Sequence, residues 1–529
     1  MTLEALRERE TTPRTPDTMI GVTRHAARRT LPVVVLAAGA ASLATEICAS
    51  RLLAPYFGNS TVVWANVIGL ILIYLSVGYW VGGRLADRYP TPRALGVILV
   101  AAALCVAALP FIARPFLSLA LQGFQAISVG VVAGSFFATL ALFAVPVSLL
   151  GMASPFALRL SITEIKHAGS TSGRLSALAT VGAIIGTFGS ALVLIPAVGT
   201  QRTLLSAALL VAVVSIPLLA RGAVVATLVI AALLALPPGG VKPSAGVVAE
   251  QESAYQYIQV ADDGGKTVLR TDEGIADQSV YRQRTALTGA EWDMPLVAPP
   301  LLGRPLHRVL VIGNAAGTSA RVIASMYPGV SIDGVEIDPA VTDLARRYMG
   351  LGGVRGLHVV SADGRAFLAT GAGRYDLIVV DAYRQTYIPF YLATQEFFQL
   401  VRQHLEQGGA LALNVERVPG DDRLVRAVSG TLAAVFPQVW VWPALRFNEL
   451  VLGLDHAVDP ATLATRFRSV PGPVGLLTPL FARDARTVAA AGDPLTDDRA
   501  PVEWLTDRAV LAYIAAGGRL NEALLPTAP

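Results

Sequence analysis

Charge is what this sequence has least of. Lys, Arg, Asp and Glu make up 15% of the 529 residues, against 53% hydrophobic. Soluble domains carry about 25% charged residues, so a wholly soluble chain is excluded. Cysteine is nearly absent, with Cys48 and Cys105 alone. Both lie in apolar runs without metal-ligand spacing, so neither a disulfide framework nor a zinc site is suggested, and no metal is expected. No basic stripe interleaves with aromatics, and the formal net charge is only +4. Nucleic acid is therefore not an expected partner.

What is present is apolar sequence, concentrated between about Leu31 and Pro237. A helix needs about 20 apolar residues to cross a bilayer. Runs of that kind cover 31–48, 62–81, 95–113, 129–152, 175–198 and 203–220, with a shorter one at 223–236. That predicts about seven spans in a multi-span α-helical membrane domain over 31–237, with the lipid bilayer as a partner. The stretch 116–128 fits an interfacial helix or part of a further span. Residues 1–30 form a polar tail, Pro/Thr-rich at its start, and read as disordered; several more apolar runs follow the first, so this is no signal peptide. Small-residue pairs, Gly78 with Gly82 and Gly182 with Gly186, suit close helix packing in lipid. Glu46 is an ionisable group near the end of the first span, and such groups are either functional or paired at the headgroups.

Positive charge gathers before the first span, after the second (Arg84, Arg88, Arg93) and after the fourth (Arg159, Lys166, Arg174). These three clusters share one side, which the positive-inside rule makes cytoplasmic. Seven spans then put the C-terminal half outside the cell. A domain using a cytosolic nucleotide belongs inside, and the sequence leaves this conflict open.

Beyond a Pro/Gly linker at 238–249 the composition turns soluble. Short alternating runs predict a small β-element over 250–307. Over 308–510 strands and helices alternate, which predicts an α/β doubly wound, Rossmann-like domain. Ligands in such sheets bind beyond the carboxyl ends of the strands. Gly313, Glu336, Asp363 and Asp381 all sit there. A glycine-rich turn, Gly313-Asn314-Ala315-Ala316-Gly317, admits a ligand close to the backbone. Glu336 ends the second strand, where a carboxylate accepts from ribose hydroxyls. Asp363 with Gly364 follows the third strand and suits an adenine amine, or simply a turn. Asp381 follows the apolar strand Leu377-Ile378-Val379-Val380 and is placed as a general base, or as a cap.

These segments together, with Val335-Glu336-Ile337-Asp338-Pro339 and Tyr375-Asp376 ahead of that strand, resemble the core of the spermidine synthase (polyamine aminopropyltransferase) family. Tyr255-Gln256 and Asp272-Glu273-Gly274 resemble that family's N-terminal β-element. The arrangement is similar to bacterial membrane proteins that fuse spans to such a domain. The resemblance implies a methyltransferase-type fold, no bound cofactor, and decarboxylated S-adenosylmethionine as cosubstrate. It implies that Gln256, Gly313, Glu336, Asp363 and Gly364 hold the nucleoside, and that Asp381 takes the proton of an attacking amine. Its partners are a small-molecule amine and a sulfonium nucleoside, and a homodimer is allowed. The cosubstrate argues for a catalytic domain on the cytoplasmic side of the cell membrane.

The acceptor side departs from the family. Ala316 and Arg384 stand where the family has Asp, and its Tyr-His or Tyr-Gln pair after Gln278 is missing. Tyr383, Arg384 and Gln278 are the remaining acceptor-site candidates, with Glu291 or Asp293 as replacement acids. Arg384 implies an acceptor whose far group is neutral or anionic. The alternatives are an S-adenosylmethionine-dependent methyltransferase, or a non-catalytic nucleotide- or polyamine-sensing domain coupled to a transporter.

Overall fold

The computed structural model describes residues 16–58, 61–127, 131–162, 164–237, 239, 242, 244–272, 274, 276–285, 287–371, 373–383 and 387–517. Arg384, Glu273 and residues 1–15 of the expected tail lie outside the described residues. Two compact units result. One holds residues 1–52, 64–119 and 135–239, and the other 53–63, 120–134 and 240–529.

The first unit is helical. Its elements are α1 (Pro16–Phe57), α2 (Thr61–Arg88), α3 (Pro92–Ile127), α4 (Val131–Gly151), α5 (Ala153–Ser161), α6 (Ala168–Phe188), α7 (Ile195–Leu219) and α8 (Arg221–Ala235). A π-helical turn at Gly189–Leu194 joins α6 to α7. Among the described residues, five helical runs are long and apolar enough to cross a membrane. About seven runs were expected, and the difference lies in how the last three are joined and how long they are. The fifth and sixth expected runs form one 55-residue helical stretch. Gly199 interrupts it with φ 82° and ψ 167°, values no helix contains. The seventh is α8, which has 15 residues. The stretch 116–128 is no separate helix, because as far as Ile127 it continues α3.

Glycines set the closest crossings. A Cβ on Gly182 would stand 2.0 Å from the Leu36 carbonyl oxygen, and one on Gly186 2.1 Å from that of Ala40. A Cβ on Gly78 would lie 2.3 Å from the Ser148 carbonyl oxygen. Any larger residue would push these helices apart.

The second unit starts with an antiparallel sheet of β1 (Val247–Glu252), β2 (Tyr257–Asp263), β3 (Lys266–Thr271) and β4 (Ser279–Tyr281), in that order. A 3₁₀ turn at Glu291–Val297 and α9 (Ala298–Leu302) lead into the alternating part. This runs β5 (Arg308–Ile312), α10 (Thr318–Met326), β6 (Ser331–Glu336), α11 (Pro339–Tyr348), β7 (Leu357–Ser361), α12 (Gly364–Ala369), β8 (Tyr375–Val380), α13 (Gln395–Gln403) and β9 (Leu405–Glu416). Then come α14 (Arg423–Ala433), β10 (Gln438–Trp442), β11 (Asn448–Leu454), α15 (Pro460–Arg468), α16 (Val474–Asp484), β12 (Arg486–Val488) and α17 (Val502–Ala515).

The main sheet has the order β12-β10-β11-β9-β8-β5-β6-β7. Strands β7, β6, β5, β8 and β9 are parallel, and β11, β10 and β12 add antiparallel pairs. Parallel strands are buried on both faces, and alternation shows it. Leu310, Ile312, Ile378 and Val380 join one core with Phe397 and Phe398. Val309, Val311, Leu377 and Val379 join the other with Ile323 and Trp442. The chain moves from β5 outward to β7 and then returns to β8 on the other side of β5. That reversal opens a crevice at the carboxyl ends of β5 and β8, the usual ligand position in such sheets.

Strand β9 is longer than the expected run at 410–414. Glu406, Gln407 and two glycines hide its start, where the pairing with β8 slips register.

Candidate active site

The crevice is a cavity of about 840 Å³, lined by residues from the small sheet and from the strand ends of the main one. Gly313 follows β5 with φ 83°. A Cβ there would stand 2.4 Å from the Asp381 carbonyl oxygen. The chain segment that approaches this glycine is thus the loop after β8, which the turn admits against itself. Gly364 is also forced, since a Cβ would meet Ile312 Cγ2 at 2.3 Å.

Glu336 ends β6 and lines the cavity. Its Oε2 accepts from the Ala315 N–H at 2.9 Å and its Oε1 from the Asp338 N–H at 2.9 Å. A carboxylate has about four acceptor positions, so two remain for hydroxyls. Burial pushes Glu336 up to about 7, although the backbone donors of Asp338, Ala315 and Ile337 favour the ionised form.

Asp338 is a residue to which the sequence reading gave no task. It is fully buried and caps α11, with Oδ1 accepting from the Ala340 N–H. Its Oδ2 accepts from Ser253 Oγ at 2.6 Å and from Gln256 Nε2 at 3.3 Å. Asp338 thereby positions Gln256 over the cavity. The Asp-Pro pair at a helix start was a visible cap signal, but its link to Gln256 crosses domains of sequence 82 residues apart.

Asp363 caps α12, its Oδ1 accepting from the Arg365 and Ala366 N–H groups. Its Oδ2 accepts from Tyr391 Oη at 2.9 Å. Asp363 is thus a cap that also lines the cavity.

Asp381 stands just beyond β8. Its Oδ1 accepts from Asn414 Nδ2 at 2.9 Å, and Asn414 Oδ1 accepts from Asn448 Nδ2 at 3.1 Å. This chain of amides fixes the carboxylate. Burial raises Asp381 to about 6, and the Asn414 hydrogen bond works against that rise. Tyr383 lines the cavity, but its hydroxyl is held by β9: it donates to the Asn414 carbonyl at 2.9 Å and accepts from the Glu416 N–H at 2.8 Å. Gln278 also lines the cavity, and its N–H donates to the Leu269 carbonyl at 2.7 Å.

Two further acids border the same space. Glu291 lies in the 3₁₀ turn before α9, and Glu416 ends β9. Burial is the main cause raising Glu291 to about 8, with the charge of Asp381 next. Burial and then the charge of Glu291 raise Glu416 to about 8. Three carboxyl groups thus repel one another in a poorly hydrated space. Of the two replacement acids, Asp293 is used by its own loop, accepting from the Thr288 and Gly289 N–H groups. Glu416 was missed, since nothing local marks a strand-end Glu. Ala316 is fully buried in the packing of β2 and β3 with α11, and Ala315 is the turn alanine that lines the cavity.

Comparison with known proteins bears on this site. The Spermine/spermidine synthase domain model matches residues 294–444. A probable polyamine aminopropyl transferase of Bifidobacterium longum is 39% identical over 188 residues, covering 35% of this chain and 42% of that one. The chain thus spans less than half of that relative. A polyamine aminopropyltransferase of Vibrio vulnificus is 34% identical over 225 residues, covering 39% of this chain and 72% of that one. Among solved structures, a probable spermidine synthase from Corynebacterium glutamicum is 19% identical, covers 51% of this chain and 94% of its own, and has a TM-score of 0.38. A mouse eEF1A lysine and N-terminal methyltransferase is 31% identical over 151 residues, 27% of this chain and 21% of that one. With a third of its residues shared over most of the Vibrio enzyme, this chain belongs to the polyamine aminopropyltransferase family.

Proposed function

We propose that the protein is a membrane-bound aminopropyltransferase that moves an aminopropyl group from decarboxylated S-adenosylmethionine to a cationic amine. Residues 31–237 are its bilayer-embedded part, 250–307 its small β-element and 308–510 its nucleoside-binding domain. The observation that carries the reading is the grouping of Asp381, Glu291 and Glu416 in one cavity beside a nucleoside-type strand end. Buried carboxylates that repel each other call for a cationic ligand, which offsets their desolvation.

Gln256, Glu336 and Asp363 hold the nucleoside. The amine nitrogen attacks the carbon next to the sulfonium. A C–N bond forms, the C–S bond breaks, and methylthioadenosine leaves as a neutral thioether. The amine must give up a proton, and Asp381 receives it. With an apparent value of about 6, Asp381 is mostly ionised at neutral pH and able to do so. Glu291 and Glu416 face the acceptor's distal ammonium. This reading differs from the expectation of a neutral or anionic acceptor, which rested on Arg384 and Ala316; Arg384 lies outside the described residues.

The second reading is methyl transfer from S-adenosylmethionine, favoured by the identity to the mouse methyltransferase. The two donors differ by one carboxylate, which the ionised Asp381 repels and to which the buried Glu291 and Glu416 give no positive partner. The test offers the detergent-solubilised full-length protein each donor with putrescine and follows products by mass spectrometry. Methylthioadenosine from the decarboxylated donor supports the proposal. S-adenosylhomocysteine from the other, with no methylthioadenosine, sinks it.

A further inference from the structure

Contacts inside the helical unit trace the face on which the chain leaves it. Take the face where α1 enters its apolar run at Thr30 as the first face. α1 crosses to the second, and α2 returns. α4 runs parallel to α2: Asn66 Nδ2 donates to Ser135 Oγ at 3.0 Å, and Ser148 Oγ donates to the Tyr74 carbonyl at 3.1 Å. At the end of α5, Arg159 Nε lies 3.0 Å from Asp87 Oδ1 at the end of α2. α5 therefore finishes on the first face. α6 runs parallel to α1, with Gly182 against Leu36 and Gly186 against Ala40.

Gly199 then decides the count. A straight 55-residue helix would be about 80 Å long. Yet Leu218 and Leu219, at its far end, lie against Gly96 near the start of α3, back at the first face. The chain reverses at Gly199, and α6 and α7 are two crossings. α8 makes the last one. Beyond it, the Gly239 N–H donates to Gln201 Oε1 at 3.3 Å, two residues past the reversal. Arg114, well along α3, also lies against Gly239. Those neighbours belong to the second face. Counting α4 with α5 as one, the chain crosses seven times and leaves opposite to where it entered.

Charge is unevenly divided between the faces. The first face carries Arg24, Arg28 and Arg29 ahead of the apolar run of α1, Arg84, Arg88 and Arg93 at the α2–α3 turn, Arg159, Lys166 and Arg174 around the α5–α6 turn, and Arg221 between α7 and α8. The second carries Arg51, Arg114, Arg202 and, just beyond α8, Lys242. Lys and Arg in short loops stay on the cytoplasmic side.

We propose that the first face is cytoplasmic and that the chain emerges from its last crossing into the extracytoplasmic space, so that the α/β unit works there. This reverses the side expected from a cytosolic cosubstrate. The sidedness stands on the helical unit alone. Its consequence for substrates rests on the aminopropyl reading: a sulfonium nucleoside and an amine are cations that do not cross hydrocarbon unaided, so a transport step must supply them ahead of the reaction.

The test uses the full chain in spheroplasts, with Cys48→Ala and Cys105→Ala as background and a membrane-impermeant maleimide as probe. One variant adds Ala464→Cys on the exposed surface of α15, and another Gly169→Cys at the open start of α6. The expected result is labelling of Ala464→Cys in intact spheroplasts and of Gly169→Cys only after permeabilisation. The opposite pattern overturns the proposal. A full-length fusion carrying alkaline phosphatase after Pro529 gives a readout independent of the cysteines; it should be active, and an inactive but well-expressed fusion also overturns the proposal. Transfer activity is measured separately in detergent, where sidedness is lost. Outer labelling without activity contradicts the enzyme reading alone, and activity with inner labelling contradicts the sidedness alone.

Discussion

The two halves of the cavity treat their acids differently. On the nucleoside side, Glu336, Asp338 and Asp363 are each tied to backbone N–H groups of the protein itself. On the acceptor side, Glu291 and Glu416 are pushed to about 8, first by burial and then by the charge of Asp381 on Glu291 and of Glu291 on Glu416. In the proposed reading, the first half is prepared by the fold to take hydroxyls and amines by geometry, and the second, short of positive charge, is completed by a cationic ligand. Geometry is cheap to keep in the empty protein, whereas a cluster of buried acids is destabilising until its cation arrives.

The largest expected effect breaks the chemistry that joins the halves. Asp381→Asn keeps the shape and the Asn414 contact region but cannot take a proton. The rate of methylthioadenosine formation should fall by about 10²–10⁴-fold, while nucleoside affinity stays nearly unchanged. A variant retaining more than a tenth of the rate would remove Asp381 from the role of base.

On the nucleoside side, Glu336→Gln removes the charge that orients hydroxyls. Losing a charge-assisted hydrogen bond costs about 1.5–3 kcal/mol, on the order of ten- to a hundredfold in affinity. Calorimetry with methylthioadenosine should show that loss, and unchanged binding would place the ribose elsewhere.

That four strand-end residues line one cavity was legible in the sequence, because they follow strands that announce themselves. Gly313, Glu336, Asp363 and Asp381 each come directly after an apolar run, in one continuous stretch of alternation. On the other side of the cavity, Glu291 was named only as one of two replacement acids, and Glu416 not at all. Glu291 sits in a 3₁₀ turn with no periodic pattern, ahead of the first main strand. Glu416 closes a strand whose start is masked by polar residues and glycines. The strand order, which puts β9 beside β8, is what brings Glu416 to the end of the sheet where Asp381 stands. The helical unit shows the same limit. Apolar runs were plain, but whether a glycine kinks or reverses a helix depends on what its far end packs against.

A smaller effect concerns positioning. Asn414→Ala removes the amide that holds Asp381 Oδ1 and favours its ionised form. Losing one hydrogen bond to a charged group costs about 1.5–3 kcal/mol. The lower limb of the pH–rate profile should move to higher pH, a shift that mere loosening would not produce.

The smallest effect is on stability. Glu291 and Glu416 titrate near 4.5 when unfolded and near 8 in the folded, empty site. Their folded values are raised, so their protonated forms contribute stability that is complete below about pH 4.5 and lost as pH rises through 8. The melting temperature of the solubilised protein should therefore fall between pH 6 and pH 9, by about 2–4 °C for each kcal/mol lost. Putrescine should flatten that fall, and Glu291→Gln should do so without ligand. A profile unaffected by either would mean that these acids are not clustered in the empty cavity.

The most direct measurement compares putrescine with butylamine as acceptor, using decarboxylated S-adenosylmethionine, for wild type and for Glu291→Gln with Glu416→Gln. The two amines share length and differ in the distal ammonium. The account predicts that wild type favours putrescine by at least about tenfold in kcat/KM, the worth of one charge-assisted contact, and that the double variant loses the preference while still using butylamine. Equal use of both amines by wild type would contradict it.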